Sequence, residues 1–252
     1  DEEGSVPMVR SMSEIAGNTA ILIAGEYLSN ANDGKGFLLG GVSGVPPTEV
    51  VIIGAGTVGV FATRTALGLG ANVKVFDKSL AKLRRLQSMI NNVPIYTCMI
   101  QPKILEKSLM RCDVVIGAVR GEGGRTPVVV TEDMVSKMKA GSVIVDVSID
   151  QGGCIETSEL TDHDNPTFRK FDVVHYCVPN IASRVSRTAS FSLSNILAPI
   201  ILDIGEKGGM DEILACNLGV RKGLYLYKGT LVSKSIGEWF DLPYADANLL
   251  FG

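Results

Sequence analysis

The sequence predicts an α/β fold built on a doubly wound parallel sheet, and three observations support that prediction. Short, mainly apolar runs alternate with segments whose apolar residues recur at helix spacing. Most of the runs are apolar along nearly their whole length, which is typical of parallel strands that helices cover on both faces. A glycine-rich turn joins the first run to the helix after it, as at the start of many doubly wound sheets.

The elements are predicted in chain order from these patterns. Ser13 is the expected N-cap of a helix over residues 13–28, and a glycine-rich connection over residues 34–44 leads to the sheet. The six predicted strands span residues 50–53, 73–76, 96–99, 113–118, 142–147 and 173–177. The helices between them span residues 60–69, 79–90, 104–110 and 131–138.

The alternation of strands and helices stops after residue 180. Residues 185–205 are predicted to form a long helix, and residues 210–216 a second one. The apolar stretch of the long helix, residues 191–204, is too short to span a bilayer, so we expect a buried helix. The chain therefore divides into a sheet-forming part and a helical remnant.

The turn after the first predicted strand is Gly54-Ala55-Gly56-Thr57-Val58-Gly59. In a dinucleotide site, Gly54 would permit the tight turn, Gly56 would let the backbone approach a pyrophosphate, and Gly59 would let helix and strand pack closely. The helix N-terminus would offer N–H groups and a partial positive charge to the phosphates. The glycines taken by themselves would also fit an ordinary tight turn. The strand, helix, second strand and acid in register favour a Rossmann-type nucleotide site.

The acid that completes this pattern is Asp77, at the end of the second predicted strand. A carboxylate in this position accepts hydrogen bonds from the ribose hydroxyls. Its charge would repel a 2′-phosphate, so the sequence favours NAD over NADP. Lys78, Lys82, Arg84 and Arg85 lie nearby; they would either weaken that preference or form a solvated helix face.

Composition narrows the class of partner and the compartment. A net charge of −3 and a pI near 5.5 argue against nucleic acid or an anionic membrane as the main partner. The five cysteines contain no CxxC and no spacing typical of a metal site, which indicates reduced thiols in a cytoplasmic protein. No signal-peptide pattern opens the sequence. The first residue is not Met, as expected for part of a longer protein.

Polar residues at the carboxyl ends of the strands are the candidates for chemistry, because ligands bind there in open α/β sheets. Asp150 follows a buried strand and precedes Gly152-Gly153. Its carboxylate would either act on a water, an amine or an imine, or simply form a turn before the glycines, and its position leaves both open. Asp146 is expected to brace the strand end. His175 is expected in the core, and His163 at the surface.

These stretches together resemble the alanine dehydrogenases, which are related to the alpha subunit of nicotinamide nucleotide transhydrogenase. The resemblance rests on residues 12–17, 36–44, 54–59, 68–71, 139–146, 149–153, 163–167, 174–176 and 187–188. The sequence Asp-Gln-Gly-Gly at 150–153 looks like the alanine dehydrogenase branch, because the transhydrogenase branch typically lacks that Asp.

The resemblance implies reversible, NAD-dependent oxidative deamination of L-alanine to pyruvate and ammonium. Asp150 would be the catalytic aspartate, active in imine formation and hydrolysis, and no metal is implied. Beyond Gly54, Gly56 and Gly59, the implied cofactor contacts are Ser13, Thr57, Val58, Asp77, Lys82, Ala118, Val119, Ile149, Asp150, Val178, Pro179, Asn180 and Ile181. Members of the family are commonly homo-hexamers, so a homo-oligomer is expected.

Two departures from the family affect these expectations. The family's substrate domain begins with a segment that carries an Arg, a Lys and a catalytic His, and that segment has no counterpart here. Residues 13–182 would then be the NAD-binding domain, and residues 1–12 and 183–252 the rest of the substrate domain. The loop Arg120-Gly121-Glu122-Gly123-Gly124 replaces a more apolar loop near the nicotinamide.

We therefore expect this chain to bind NAD(H) and to turn over alanine poorly or not at all, because contacts that are missing cannot stabilise a transition state. Two alternatives remain open. One is a transhydrogenase-like protein or another amino-acid dehydrogenase of the same fold. The other is a non-catalytic NAD(H)-binding module.

Overall fold

The computed structural model describes residues 6–121 and 125–250. Contacts between residues divide the chain into two compact units. The larger unit is Val9–Ala189, and the smaller unit takes in the described residues up to Met8 and from Ser190 onward.

One sheet of seven strands forms the centre of the larger unit, as far as the described residues show. Its strands are β1 (Glu49–Ile53), β2 (Asn72–Asp77), β3 (Tyr96–Met99), β4 (Val114–Gly117), β5 (Val143–Asp146), β6 (Thr167–Lys170) and β7 (Val173–Tyr176). Their order is β3-β2-β1-β4-β5-β7-β6, and all neighbours are parallel except β6 and β7. The predicted α/β class and doubly wound parallel sheet are confirmed.

The predicted count of six strands was wrong by one, since β6 was not anticipated. All six predicted strands are present, and β6 pairs antiparallel to β7 at the edge of the sheet. Its sequence, Thr-Phe-Arg-Lys, is charged and only half-buried, as expected of an edge strand exposed to solvent. Phe171 and Asp172 make the tight turn between the strands, both with positive φ.

Helices cover both faces of this sheet. They are α1 (Pro7–Leu28), α2 (Thr57–Gly68), α3 (Leu80–Met89), α4 (Pro102–Leu109) and α5 (Glu132–Ser136). The prediction that Ser13 caps the first helix was wrong, because α1 begins six residues earlier and Ser13 lies inside it. Pro7 is the first helical residue, where its fixed φ and missing N–H cost nothing.

The alternating residues of β1 show why its sequence is apolar from Val50 to Ile53. Val50 and Ile52 point into a core that includes residues of α1 and α2. Val51 and Ile53 point into a second core on the other face, with residues of α4 and α5. Since successive side chains of a strand point to opposite faces, a strand that is buried on both faces needs an unbroken apolar sequence.

The smaller unit contains short helices and a two-stranded hairpin. Its elements are α7 (Met210–Cys216), α8 (Leu218–Lys222), β8 (Leu226–Tyr227), β9 (Thr230–Leu231), α9 (Lys234–Phe240) and α10 (Ala247–Leu250). The long helix α6 (Ser186–Glu206) begins in the larger unit and continues in the smaller one.

The expectation that this long helix is buried was wrong. Ala189 is the only buried residue of α6 in the described chain, and Phe191, Ile201 and Leu202 are 62–65% exposed. With the preceding 3-10 turn the helical run is Ile181–Glu206, which is long and apolar enough to cross a membrane by length and composition alone. The apolar composition of α6 predicted a buried helix, but composition alone does not tell whether a helix is covered by residues of its own chain.

Candidate functional site

The glycine turn after β1 has a geometry that side chains would obstruct. Gly54 has a φ of 111°, and a Cβ there would lie 2.2 Å from the carbonyl oxygen of Ala118. A Cβ on Gly59 would lie 1.8 Å from the carbonyl oxygen of Gly54. A Cβ on Gly56 would meet nothing within 4 Å. The turn is therefore tightly packed at Gly54 and Gly59 and open at Gly56.

The helix that follows this turn has no side-chain cap. Gly56 is the N-cap residue of α2, and none of the described side chains accepts a hydrogen bond from its first turn. The first N–H groups of a helix have no partner within the helix, so they are available to a ligand. Together with the helix dipole, they favour an anion at this position.

The Asp77 carboxylate ties the glycine turn to the end of β2. It is 5% exposed, and its Oδ2 accepts a hydrogen bond from the Ala55 backbone N–H at 2.7 Å. Its Oδ1 accepts one from the Ser79 backbone N–H, also at 2.7 Å. Each carboxylate oxygen has a second lone pair, so the group can still accept hydrogen bonds from a ligand.

A cavity of about 280 Å³ lies at the carboxyl ends of β1, β4 and β5. The strand order runs outward in opposite directions from β1 and β4, which makes this the topological switch point of the sheet. The residues that line it are Val9, Ser13, Val58, Ala118, Val119, Arg120, Val147, Ser148, Asp150 and Gln151. Five of them were predicted cofactor contacts: Ser13, Val58, Ala118, Val119 and Asp150.

Asp150 links the loops that follow β5 and β7. It lies in the 3-10 helix Val147–Gln151, is exposed, and its Oδ1 accepts a hydrogen bond from the Asn180 backbone N–H at 2.9 Å. Within the described part of the chain its side chain makes no hydrogen bond to its own turn. The turn-forming contact comes from Asp146, whose Oδ1 accepts from the Ser148 backbone N–H at 3.0 Å.

Asp146 braces the end of β5, as predicted. Its Oδ2 accepts hydrogen bonds from the Cys154 backbone N–H at 3.0 Å and from the Ser158 hydroxyl at 2.7 Å. Burial raises the pKa of the Asp146 carboxyl, and these hydrogen bonds oppose the rise. Ser148 extends the brace, because its Oγ accepts a hydrogen bond from the Val119 backbone N–H at 3.0 Å. The loop after β4 is thus fixed against the loop after β5.

The other predicted contacts do not line the cavity. Thr57 is the first residue of α2, directly after Gly56, and Ile149 is buried beside Asp150. The exposed Lys82 lies in the first turn of α3, beyond Asp77. The loop after β7 contains the remaining four: Val178 and Ile181 are buried, Pro179 is half-buried, and Asn180 is exposed.

Some of the residues that line the cavity were not predicted as cofactor contacts, although the sequence around them gave a reason to expect them there. Ser148 and Gln151 stand on either side of Asp150 at the end of a predicted strand, where polar residues are expected in a ligand site. Arg120 belongs to a loop that the sequence marked as unusual, but it was not predicted as a contact. Val9 had no signal, because the segment before residue 13 was not predicted to be helical.

His175 is a buried core residue, as predicted. It lies in β7 and stacks on Phe168 with ring centroids 4.8 Å apart. The tautomer that satisfies both contacts donates from Nδ1 to the Val173 carbonyl at 3.0 Å and accepts at Nε2 from the Thr157 hydroxyl at 2.8 Å. His163 is exposed, and its Nε2 lies 2.9 Å from the Ser183 hydroxyl. In residues 6–121 and 125–250, no group of three or more His, Cys, Asp or Glu residues is placed to hold a metal ion.

The buried state of His175 predicts a pH-dependent stability. Burial lowers the pKa of His175, so below about pH 6.5 the unfolded chain binds more protons than the folded one. We expect the free energy of unfolding of the wild type to fall relative to that of His175→Gln as the pH drops below 6.5, by up to about 1.4 kcal/mol per pH unit. Urea denaturation between pH 5 and 8 measures the free energy of unfolding of both proteins. His163→Gln, which replaces an exposed histidine, serves as the control. Parallel pH profiles for the wild type and His175→Gln would contradict it.

The chain has clear relatives among characterised proteins. It is 42% identical over 245 residues to the alanine dehydrogenase of Mycolicibacterium smegmatis, covering 97% of this chain and 66% of that protein. It is 42% identical over 244 residues to the alanine dehydrogenase of Methanococcus maripaludis, covering 96% of this chain and 65% of that protein. The chain therefore spans just under two thirds of the length of these relatives.

Solved structures that share the fold of this chain include an alanine dehydrogenase. An L-alanine dehydrogenase superposes with a TM-score of 0.89 at 37% identity, covering 94% of this chain and 65% of that one. A transhydrogenase from Sinorhizobium meliloti shares the fold, with a TM-score of 0.71 at 23% identity, covering 90% of this chain and 61% of that one. Residues 20–234 match the family described as alanine dehydrogenase/PNT, C-terminal domain. This match covers most of the chain and agrees with its doubly wound sheet. The chain therefore belongs to the alanine dehydrogenase/PNT C-terminal domain family.

Proposed function

We propose that this chain binds NAD(H) and forms the nucleotide-binding part of an enzyme that interconverts L-alanine with pyruvate and ammonium. The observation that carries the proposal is the cavity at the switch point, where Asp150 and four of the predicted cofactor contacts line one wall. The relatives that are about half as long again as this chain are alanine dehydrogenases, which supports the substrate.

The residues around the glycine turn fit a dinucleotide. The open space at Gly56 and the uncapped N–H groups at the start of α2 would hold the diphosphate. The remaining lone pairs of the Asp77 carboxylate would accept hydrogen bonds from the ribose hydroxyls. When bound, NAD(H) supplies the acceptor or the donor of the hydride.

Asp150 is the proposed catalytic residue. Its Oδ1 is held by the Asn180 N–H, which leaves Oδ2 free to face the cavity and exchange a proton with water or an amine. Hydrolysis of an imine needs a base that activates water and an acid that protonates the departing amine. One carboxyl group serves both steps in turn, because protonation in the first prepares it for the second.

The division into domains is proposed as well. Residues 13–182 would form the NAD-binding domain, and residues 1–12 and 183–252 the remaining part of the substrate domain. The exposed apolar side chains of α6 support this, because they would be covered by the part of the relatives that has no counterpart in this chain. We further propose a homo-oligomer, as the resemblance to the family implies, and a cytoplasmic location, as the pattern of the cysteines predicts.

A titration of this chain with NADH and NADPH tests cofactor binding. We expect saturable NADH binding and at least about tenfold weaker NADPH binding, because the Asp77 carboxylate would repel a 2′-phosphate. Asp77→Asn removes the negative charge and should narrow the difference. Fluorescence of the bound reduced nicotinamide measures both affinities. Equal affinity for the two cofactors in the wild type would contradict the assignment of NAD.

The enzymatic proposal needs an assay of the full-length gene product beside this chain. We expect NADH formation that depends on L-alanine in the full-length product, and little or none in this chain alone. A full-length product that binds NADH without amino-acid-dependent turnover would instead be a non-catalytic binding module. A panel of amino acids would reveal a different substrate.

A further inference from the structure

Arg120 is a positively charged residue that lines the candidate cavity and has no role in the proposed function. It follows Val119 directly after the end of β4 and is exposed. In the part of the chain that the structure describes, its guanidinium makes no ion pair and no hydrogen bond. Asp150 lines the same cavity, yet no oxygen of its carboxylate is within the 4.0 Å of Arg120 that would make an ion pair. Two opposite charges thus face one space without neutralising each other.

The backbone beside Arg120 is held in place. The N–H of Val119 donates to the Ser148 hydroxyl at 3.0 Å, which fixes the residue before Arg120 against the loop after β5. Ser148 is itself buried and lies next to the brace formed by Asp146. The base of the Arg120 side chain is therefore anchored, although its charged end is free.

The remaining lining makes an anion the natural partner of this side chain. Half of the lining residues are Val or Ala, whose side chains accept no hydrogen bonds: Val9, Val58, Ala118, Val119 and Val147. In the part of the chain that the structure describes, none of the polar lining side chains accepts a hydrogen bond from the Arg120 guanidinium. A planar guanidinium in such a wall binds a carboxylate or a phosphate through paired, charge-assisted hydrogen bonds. Such bonds are stronger than those between neutral groups, because both partners carry charge.

We propose that Arg120 binds an anionic oxygen group of the bound ligand, either a phosphate of the dinucleotide or the carboxylate of the amino or 2-oxo acid. The inference rests on the proposed function. The cavity extends from Val58, in the first turn of α2, to Asp150 and Gln151. Both sources of an anion lie next to this space, because Val58 belongs to the turn of α2 that would hold the diphosphate, and Asp150 would contact the substrate.

The test uses Arg120→Gln with Arg125→Gln as its matched control. Arg125 stands at the other end of the same loop, and its Nε lies 2.8 Å from the position that a Cβ on Gly152 would take. It does not line the cavity, and both variants lose one positive charge. Each variant is titrated with NADH by calorimetry, and KM and kcat for pyruvate are measured in the full-length gene product.

We expect Arg120→Gln to weaken one binding step by about 10- to 100-fold, as loss of a charge-assisted hydrogen bond does. Weaker NADH binding would identify the phosphate as the partner. A raised KM for pyruvate with unchanged NADH binding would identify the carboxylate. Arg120→Lys should recover part of the loss, because Lys keeps the charge but not the paired geometry.

Two results would overturn the inference. One is an Arg120→Gln variant whose NADH affinity and pyruvate KM both stay within about twofold of the wild type. The other is an equal effect of Arg125→Gln, which would show that only net charge matters. A wild-type chain that binds no NADH would overturn the proposed function, and this inference with it. Absence of pyruvate turnover would contradict only the enzymatic proposal, and the NADH titration would then decide the role of Arg120.

Discussion

Replacing Asp150 by Asn should lower kcat for L-alanine by about 10²–10⁴-fold while leaving NADH affinity nearly unchanged. The change removes the group that would exchange protons with water and amine at the imine. It keeps an oxygen that can accept the hydrogen bond from the Asn180 N–H, so the loop after β7 should stay in place. Steady-state kinetics of the full-length gene product and an NADH titration of the same protein measure the two effects.

The control for this variant is Asp164→Asn. Asp164 is exposed in the polar loop before β6 and does not line the cavity. It undergoes the same change of charge and shape, so it should keep wild-type kcat. Wild-type turnover in Asp150→Asn would return Asp150 to the alternative that its sequence position left open, a turn-forming residue before two glycines. Loss of NADH binding would mean that the variant disturbs the cofactor site, and the kinetic result would then say nothing of proton transfer.

Replacing Gly59 by Ala should disrupt the glycine turn and weaken NADH binding by about 10- to 100-fold. The added Cβ would lie 1.8 Å from the Gly54 carbonyl oxygen, so α2 must move away from the end of β1. That movement displaces the N–H groups that would hold the diphosphate. Crowding of this kind also costs about 1–3 kcal/mol or more of folding free energy. Far-UV circular dichroism during urea denaturation measures the stability, because the larger unit contributes most of the helices and strands. Trp fluorescence would report on the smaller unit, where the single Trp lies.

The same substitution at the other end of the same helix provides the control. Gly68 is the last residue of α2, is exposed, and a Cβ there would meet nothing within 4 Å. We expect Gly68→Ala to leave NADH affinity unchanged and to keep or raise stability by about 0.5–1 kcal/mol, since Ala favours helices more than Gly. If Gly59→Ala were as harmless as Gly68→Ala, close packing at the glycine turn would not be needed for binding.

The fold was predictable because its signals are local and repeated. The buried strands are marked by short, mainly apolar runs, and the helices that pack on them by the spacing of their apolar residues. The strand β6 was not predicted because an edge strand needs no apolar sequence. It is also separated from its partner, β7, by only two residues, so no long connection marks where it ends. The start of α1 was not predicted because its first two turns bury few side chains and therefore show no helical periodicity of apolar residues.

The candidate site was predictable where its chemistry follows a strand end. Asp77 and Asp150 were predicted in this way, since Asp77 is the last residue of β2 and Asp150 lies four residues after the end of β5. Arg120 and Ser148 were not, because their place in the cavity depends on which loops meet in space. The exposure of α6 could not be read from its sequence either, because an apolar face looks the same whether its partner belongs to this chain or to another segment.

The two hydrogen bonds to the Asp77 carboxylate bear on the entropy of cofactor binding. Both oxygens are already held by backbone N–H groups, so the side chain has lost its rotational freedom on folding. In the proposed complex, an arriving ribose would find the acceptors already oriented, and the turn that would face the diphosphate already fixed by the same carboxylate. Binding would then avoid the ordering penalty that a flexible acid adds, and the proposed recognition of the sugar would be preorganised together with that of the phosphates.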